Sequence, residues 1–378
     1  MKIVYTIVGL TTGGAEVMLY RILTKINRER FSPSVVCLMD HGTLGDRIEA
    51  LGIPVYTLGM KAGGIPTPNV IWKLVKIIRE IKPDLIQGRM YHGNLAAQFA
   101  KVFCGMEIPV FWSIHYSIYS LDAEKKMTQA VIKLGAPISK FAKQVFYVSK
   151  ISKTQHEALG YDAGNGYVIP NGTDTSLFTP SVEARVSVRQ ELGLPSTSFL
   201  IGSIGRYHPM KDHANFIKAA ALFGKNYPDS HFIMAGNQVD FTNKALYQLI
   251  EELGIDDRIH LLGERSDMPR LMAALDIMAS ASAYGEAFPN VIVEAMSCGI
   301  PCVVTDVGDS GWIVGNTGWV VPPKNPEALA EAWQEAIELG SEGREKLRKA
   351  ARSRIIECFS LDSIVAEYEK LYETAMTK

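Results

Sequence analysis

The sequence predicts an α/β protein of two domains, each a parallel sheet with helices on both faces. Three observations predict it. Short β-branched and aromatic runs alternate with longer stretches whose apolar residues recur every three or four positions, the rhythm of βαβ units. That rhythm starts again after a turn, Ile169-Pro170-Asn171-Gly172-Thr173-Asp174, which Pro180 follows. The 378 residues also exceed one ordinary core and suit two domains of roughly 150–200 residues. A Pro-Asn-Gly turn between two α/β blocks is a natural boundary. The domains are therefore set at residues 1–170 and 171–378.

In the first domain Ile3–Val8 reads as a buried strand. Ala15–Asn27 reads as a helix, with Val17, Met18, Ile22 and Ile26 at helical spacing. Val35–Met39, Val55–Leu58, Leu85–Gly88, Val110–Ile114 and Val145–Val148 are further strands, and Val70–Ile81 and Gly93–Phe103 are helices. In the second domain Phe199–Ile204, His231–Ala235, Ile259–Leu262, Ile277–Ser280 and Cys302–Thr305 are strands with helices between them. From Pro326 to about Ala375 the chain reads as mostly charged helix. Two Rossmann-like domains facing each other across a cleft are expected, with ligands at the carboxyl ends of the strands.

A hydrophobic content of 47% with 21% charged residues is that of a soluble globular protein. The five cysteines contain no C-x-x-C pair, which argues against a disulfide framework and a zinc site. Cys298 and Cys302 read as small core residues. The start MKIVYTIVGL reaches Thr11-Thr12-Gly13-Gly14 too soon for a signal peptide. No run of about 18 apolar residues exists to span a membrane. A cytoplasmic protein is expected, or one at the inner face of the cell membrane. Net charge is −1, but the first 170 residues carry 20 Lys/Arg against 12 Asp/Glu, a balance of +8. The asymmetry suggests an anionic partner for the first domain. Nucleic acid is not indicated, because no arginines interleave with stacking aromatics.

Three clusters carry chemistry. Gly9-Leu10-Thr11-Thr12-Gly13-Gly14-Ala15-Glu16 follows the first strand, and adjacent glycines opening a helix aim N–H groups at a ligand. A tight turn without a ligand fits that spacing equally. The dinucleotide fingerprint G-x-G-x-x-G is absent, although Asp40, read as ending the second strand, leaves a dehydrogenase open for this half alone. Gly205-Arg206-Tyr207-His208-Pro209-Met210-Lys211-Asp212 sets Arg206 and Lys211 at a strand's carboxyl end. They could clamp a diphosphate and stabilise a departing one; a pair of solvated charges fits the spacing slightly better. In Tyr284 to Gly299, Pro289 suits a first helical turn and Gly299 a helix end. Glu286 then lies in the loop before the helix and Glu294 inside it, among Val293, Ala295 and Met296. A buried unpaired carboxylate is costly, so Glu294 should face a cleft or a partner. Two carboxylates with the amides of Phe288 and Asn290 offer what a polyhydroxylated ligand needs.

Gly-Gly-Ala-Glu, Gly-Arg with a later Lys, and Glu-seven-residues-Glu, followed by Gly-Ile-Pro-Cys-Val-Val-Thr-Asp-Val-Gly, resemble the retaining glycosyltransferases of family four (glycosyl transferases group 1), which have the GT-B fold. The resemblance covers nearly the whole chain, including Ile169-Pro170-Asn171-Gly172 and Val320-Val321-Pro322-Pro323. It implies an acceptor-binding first domain and a nucleotide-sugar-binding second domain. The C-terminal helices would pack back toward the first, with the last, from about residue 360 to 376, crossing to it. It also implies that Arg206 and Lys211 hold the donor diphosphate and that Glu294 binds the ribose. Glu286 would bind the transferred sugar with amides at Phe288, at Asn290 beside Pro289, and at the Gly13-Gly14 turn; Ala287 lies in the same donor loop. His115, ending a strand, matches a family histidine near the reaction centre, whereas a lone His there reads otherwise as a satisfied core or surface group. The nucleobase would lie near Leu262-Gly263-Glu264-Arg265. One run departs from the family: Asp306-Val307-Gly308-Asp309-Ser310-Gly311-Trp312 stands where Gly-Gly followed by Glu is common.

The chain contains no Asp-x-Asp, so cations and helix N-termini would stabilise the leaving group, with no metal and no cofactor. Front-face attack is expected, the departing phosphate oxygen taking the acceptor's proton. The implied reaction moves a hexose from a nucleotide sugar, UDP-linked by expectation, to a glycan or lipid-pyrophosphate-linked acceptor in bacterial polysaccharide or glycolipid synthesis. A nucleotide-sugar epimerase and a non-catalytic nucleotide-sugar-binding module are the alternatives. A phosphorylase is disfavoured because it would need a far longer chain. Trp72–Lys82 reads as a core-facing stripe with solvated lysines. Across Glu124–Lys143, with Lys125, Lys126, Lys133, Lys140 and Lys143, contact with an anionic membrane or a lipid pyrophosphate competes with that reading.

Overall fold

The computed structural model describes residues 1–11, 13–61 and 67–376. Thr12, and residues 62–66 of the Gly59–Pro68 loop, lie outside the described residues. The chain begins β1 (Lys2–Ile7), α1 (Gly14–Lys25), β2 (Ser32–Cys37), α2 (Gly42–Glu49), β3 (Val55–Thr57), α3 (Pro68–Ile81) and β4 (Leu85–Arg89). It continues with α4 (Met90–Cys104), β5 (Val110–Ile114), α5 (Lys126–Ile138), β6 (Gln144–Tyr147), α6 (Lys150–Ala158) and β7 (Gly166–Val168). Next come α7 (Val182–Glu191), β8 (Phe199–Ile204), α8 (His213–Asn226), β9 (Ser230–Ala235), α9 (Lys244–Leu253), β10 (Ile259–Leu261) and α10 (Met268–Ala273). β11 (Ile277–Ser280), α11 (Asn290–Ser297), β12 (Cys302–Thr305), α12 (Ser310–Val314) and β13 (Trp319–Val321) follow. The last helices are α13 (Pro326–Glu338), α14 (Gly340–Cys358) and α15 (Leu361–Met376). Two compact units result, Met1–Gly172 with Leu361–Lys378, and Thr173–Ser360.

The first unit's sheet has the order β3-β2-β1-β4-β5-β6-β7, and every pairing is parallel. Strand order reverses between β1 and β4, so loops diverge there and leave room at the carboxyl edge. α4, rich in alanine and small residues, packs close against β1, β4 and β5. α15 lies against α1 and sends Tyr372 into this unit's core. There its hydroxyl is 3.2 Å from that of Tyr5 and its ring sits 6.0 Å from Phe111.

The second unit's sheet has the order β10-β9-β8-β11-β12-β13, again parallel throughout. Its reversal lies between β8 and β11. Trp333 of α13 is fully buried and meets Phe216, Phe223 and Phe232 edge-on or tilted, a favourable arrangement of ring quadrupoles. At the opposite end of the strands Arg189 holds Asp276 at 2.8 Å, and the same carboxylate oxygen accepts from Leu200 N–H at 2.9 Å.

Several expectations need correction. β2 ends at Cys37, so Asp40 is an exposed loop residue beyond the strand, not its last residue. β4 runs to Arg89 and α4 starts at Met90, closing the gap read between Gly88 and Gly93. The stretch from Pro326 is three helices, broken at Gly340, whose φ is 68°, and again at Phe359-Ser360. α2, α5, α6, α7, β7 and β13 are not anticipated. The two strands have three residues each, too few for an alternation to register. Cys298 and Cys302 are core residues with no exposure. No helix among the described residues is long and apolar enough to cross a membrane.

Candidate functional site

The second unit's carboxyl edge is shaped by the chain leaving β8. His208 caps a single 3-10 turn, Pro209–Lys211, its Nδ1 accepting from Met210 N–H at 3.2 Å. Asp212, in the left-handed region at φ 47°, caps α8 by accepting from Asn215 N–H at 3.2 Å. A non-glycine residue there costs about 1–3 kcal/mol, and it turns Lys211 back over the strand ends. The loop after β11 is fastened to the same turn: Ala283 N–H donates to Met210 O at 2.8 Å. Lys211 Nζ thereby lies 2.5 Å from Glu286 Oε1. Ser282 Oγ donates to that same oxygen at 2.7 Å. Both groups are mostly buried, the side chains 19% and 8% exposed, so the pair is little screened by solvent. Arg206, by contrast, is exposed and in no ion pair among the described residues.

The run that departs from the family sits directly against Glu286. Thr305 Oγ1, ending β12, donates to Ser282 O at 2.6 Å, and Asp309 N–H donates to Ala287 O at 3.3 Å. Gly308 has φ 61°, and a Cβ built on it would strike the Glu286 carbonyl. Glycine is required here by conformation and by space. Phe288 is buried, its ring against Trp312 and Phe359, so its side chain anchors the loop. Pro289 takes the N-cap position of α11, one residue earlier than the first-turn reading, and Asn290 is the first helical residue. Glu294 is buried at 9% exposure within that helix.

At the strand end assigned to the nucleobase, Leu262 N–H donates to Met234 O at 2.9 Å and Gly263 N–H to Val239 O at 2.9 Å. Arg265 and Arg270 share Glu191 and Asp267 in a four-residue charge network. Its two arginine bonds hold Asp267 well below the usual carboxylate range.

In the first unit Gly13 caps α1 with an extended backbone and Gly14 opens the helix. The Glu16 carboxylate folds back over Gly13, so part of the helix start is already occupied by an acceptor. Burial raises the pKa of Glu16, while its own N–H and the Arg89 charge oppose the rise. Space beside Gly14 is open to at least 4 Å.

His115 leaves β5 beside Arg89, the fully buried last residue of β4. Arg89 Nη2 lies 2.8 Å from His115 Nε2 and 3.4 Å from Ala15 O. A guanidinium only donates, so Nε2 accepts and the ring proton sits on Nδ1, 3.3 Å from Asn171 Oδ1. Burial and the Arg89 charge push the pKa of His115 well below its ordinary value. The next residue after Arg89, Met90, has φ 59°, a genuine outlier for a long side chain, and its Sδ accepts from His115 N–H at 3.3 Å.

Lys211 and Glu286 are thus brought together, with Ala287, Phe288 and Pro289 in one fastened loop. In the other unit, His115 joins Arg89. No sequence motif singles out Arg89, Asn171 as the partner of His115, or Ser282. A charged residue ending a strand is the signal that points to Arg89. Among the described residues His41, Asp46 and Glu49 have metal-like spacing. They lie on or beside α2, with His41 Nδ1 3.3 Å from Asp46 and Nε2 3.3 Å from Glu49.

Comparisons with known proteins bear on this geometry. The family described as glycosyl transferases group 1 matches residues 185–354, and glycosyltransferase family 4 matches residues 12–177. An Escherichia coli UDP-Gal:alpha-D-GlcNAc-diphosphoundecaprenol alpha-1,3-galactosyltransferase is 25% identical over 91% of this chain and 89% of its own length. Anabaena HepE, crystallised with UDP, superposes with a TM-score of 0.86 at 27% identity, covering 99% of this chain and 100% of its own. WaaG, a glycosyltransferase involved in lipopolysaccharide biosynthesis, shares the fold with a TM-score of 0.72 at 16% identity, over 98% of this chain and 99% of its own. The chain belongs to the group 1 glycosyltransferases of family four, and it is a glycosyltransferase with the GT-B fold.

Proposed function

We propose that this enzyme is a metal-independent, retaining hexosyltransferase that moves a sugar from a UDP-sugar to a lipid-diphosphate-linked or glycan acceptor. The observation that carries the reading is the 2.5 Å contact of Lys211 with Glu286 beside the strand-order reversal of the second unit. A cation there meets the diphosphate, and a carboxylate beside it accepts hydroxyls of the sugar. Both hydrogen bonds on Glu286 fall on Oε1, which leaves Oε2 to face the sugar. Arg206 joins Lys211 at the diphosphate, and Glu294 takes the ribose. Amides at Phe288, Asn290, Gly13 and Gly14 serve the sugar oxygens, and Leu262 borders the base. His115, held neutral, lies near the sugar, and a sugar hydroxyl that replaces Asn171 Oδ1 accepts its Nδ1–H, so it acts as a hydrogen-bonding group and not as a cation. The UDP and UDP-glucose complexes of HepE support the donor. The diphosphoundecaprenol substrate of the E. coli relative supports the acceptor.

The acceptor oxygen attacks the anomeric carbon from the face that the phosphate oxygen leaves. Its proton passes to that oxygen, and the charge on departing UDP is stabilised by Lys211 and Arg206. No enzyme-linked sugar forms, so Glu286 is not a nucleophile. Peripheral contact with an anionic membrane through the exposed lysines of Glu124–Lys143 completes the proposal. UDP release with lipid-diphosphate acceptors in EDTA, followed by NMR of the product, tests it. An α-linked product from an α-configured UDP-sugar is expected. A β-linked product, or a glycosyl adduct on Glu286, contradicts it.

A further inference from the structure

α3, α4 and α5 of the first unit leave an apolar groove between them. Ile71 and Leu74 come from α3, Ala96 and Phe99 from α4, and Val131 and Leu134 from α5. The volume is about 200 Å³, and among the described residues that line it His92 is the one polar side chain. An apolar cavity of about 150 Å³ stays dry and takes benzene, so this one has room for roughly one to two isoprene units.

The position of the groove matters more than its size. Leu38, just past β2, and His92, in the first turn of α4, line one end. That end therefore lies at the carboxyl edge of the sheet, three residues along the chain from Arg89, whose guanidinium touches His115. At the rim Phe99 is 37% and Leu134 49% exposed. Exposed Val102, Phe103 and Phe141 carry apolar surface beyond it. Lys133, Lys140 and Lys143 stand exposed along the α5 side, where an anionic headgroup region would be welcomed. Burial keeps His92 toward its neutral form, compatible with an apolar lining.

We propose that this groove seats the first isoprene units of a polyprenyl-diphosphate-linked acceptor, running from the carboxyl edge of the sheet outward past Phe99 and Leu134. The inference rests on the lipid-linked acceptor reading above. It assigns that acceptor's chain to a built site, and it makes chain length, not only the headgroup, a determinant of binding.

The test uses the full chain, calorimetry, and three probes: farnesyl diphosphate, geranyl diphosphate and inorganic pyrophosphate. Farnesyl diphosphate should bind at least about tenfold tighter than pyrophosphate, with geranyl diphosphate between them. Ala96→Phe fills the groove and Leu134→Glu charges its rim. Each should lose most of that advantage while UDP still raises the melting temperature as in wild type. Because Leu134 is exposed, its variant remains informative if Ala96→Phe does not fold. Equal affinity for farnesyl diphosphate and pyrophosphate, or prenyl binding unchanged in both variants, overturns the proposal. So does loss of phosphatidylglycerol-vesicle binding by Ala96→Phe in step with prenyl binding, which would mark the patch as a bilayer surface. Failure of UDP to stabilise the wild type would instead sink the donor reading, and the two failures are separable.

Discussion

Arg89 and His115 form a hydrogen-bonded pair, Nη2 to Nε2 at 2.8 Å, at the carboxyl ends of neighbouring strands β4 and β5. The arginine has no exposure, so its charge acts on the ring with little screening. Replacing it by methionine should raise the pKa of His115 toward the ordinary value near 6.5, though burial still opposes the charged form. His115 is expected to act neutral, so the acid limb of kcat/KM should move up in pH in Arg89→Met and stay put in Arg89→Lys. Following His115 ring protons by NMR across pH 4–8 checks this, roughly the range that brackets an unperturbed histidine. An unshifted titration in Arg89→Met would show that the pair does not set the protonation of His115.

Lys211→Ala removes the cation beside a buried carboxylate. The unpaired Glu286 should cost about 1–3 kcal/mol of stability, and activity should fall by about 100-fold or more. The double variant Lys211→Ala/Glu286→Ala should recover much of the stability and none of the activity. Denaturant melts and UDP release measure the two separately, and additive stability losses would contradict the coupling.

Gly308→Ala tests the run that departs from the family. Its backbone is left-handed, and a methyl group there meets the Glu286 carbonyl. A stability loss of about 1–3 kcal/mol is expected, with activity down by at least about tenfold because Glu286 is displaced. Wild-type turnover in this variant would mean that the loop does not position Glu286.

Much of this arrangement is legible in the sequence where the determinants are local. Pro289 and Gly299 bracket α11, so Glu286 falls in a loop and Glu294 in a helix, as the structure has them. The alternation of apolar runs marks β5, β8, β11 and β12 to the residue. What stays hidden depends on partners far along the chain. Arg89 meets His115 across 26 residues, and His115 meets Asn171 across 56; no periodicity reports such pairs. Lys211 and Glu286 are 75 residues apart, and each stands out by its own motif, not by their contact. α2 carries two glycines in eight residues, which weakens a helical signal.

Stability should fall as the solution is acidified below neutrality. His156, His213 and His260 are each pushed down to about 4, burial being the largest cause. Between that value and about 6.5 the unfolded chain binds protons that the folded chain does not, so stability rises with pH through this window. Each group adds a slope of at most about 1.4 kcal/mol per pH unit. His156 is fully buried between Tyr91 and Ser152, and His156→Gln should flatten the profile of melting temperature between about pH 6.5 and 5, the upper part of that window. An unchanged slope would mean that His156 takes up its proton over the same pH range in the folded and unfolded chains.

The most direct test of the proposed donor site is calorimetric titration of UDP in EDTA against wild type, Arg206→Ala and Glu294→Ala. The expected result is binding that needs no divalent cation and weakens by at least about tenfold in each variant, since on the proposed assignment each would remove one charge-assisted hydrogen bond to the donor. Binding that appears only with added magnesium or manganese, or that is as tight in both variants as in wild type, would contradict it.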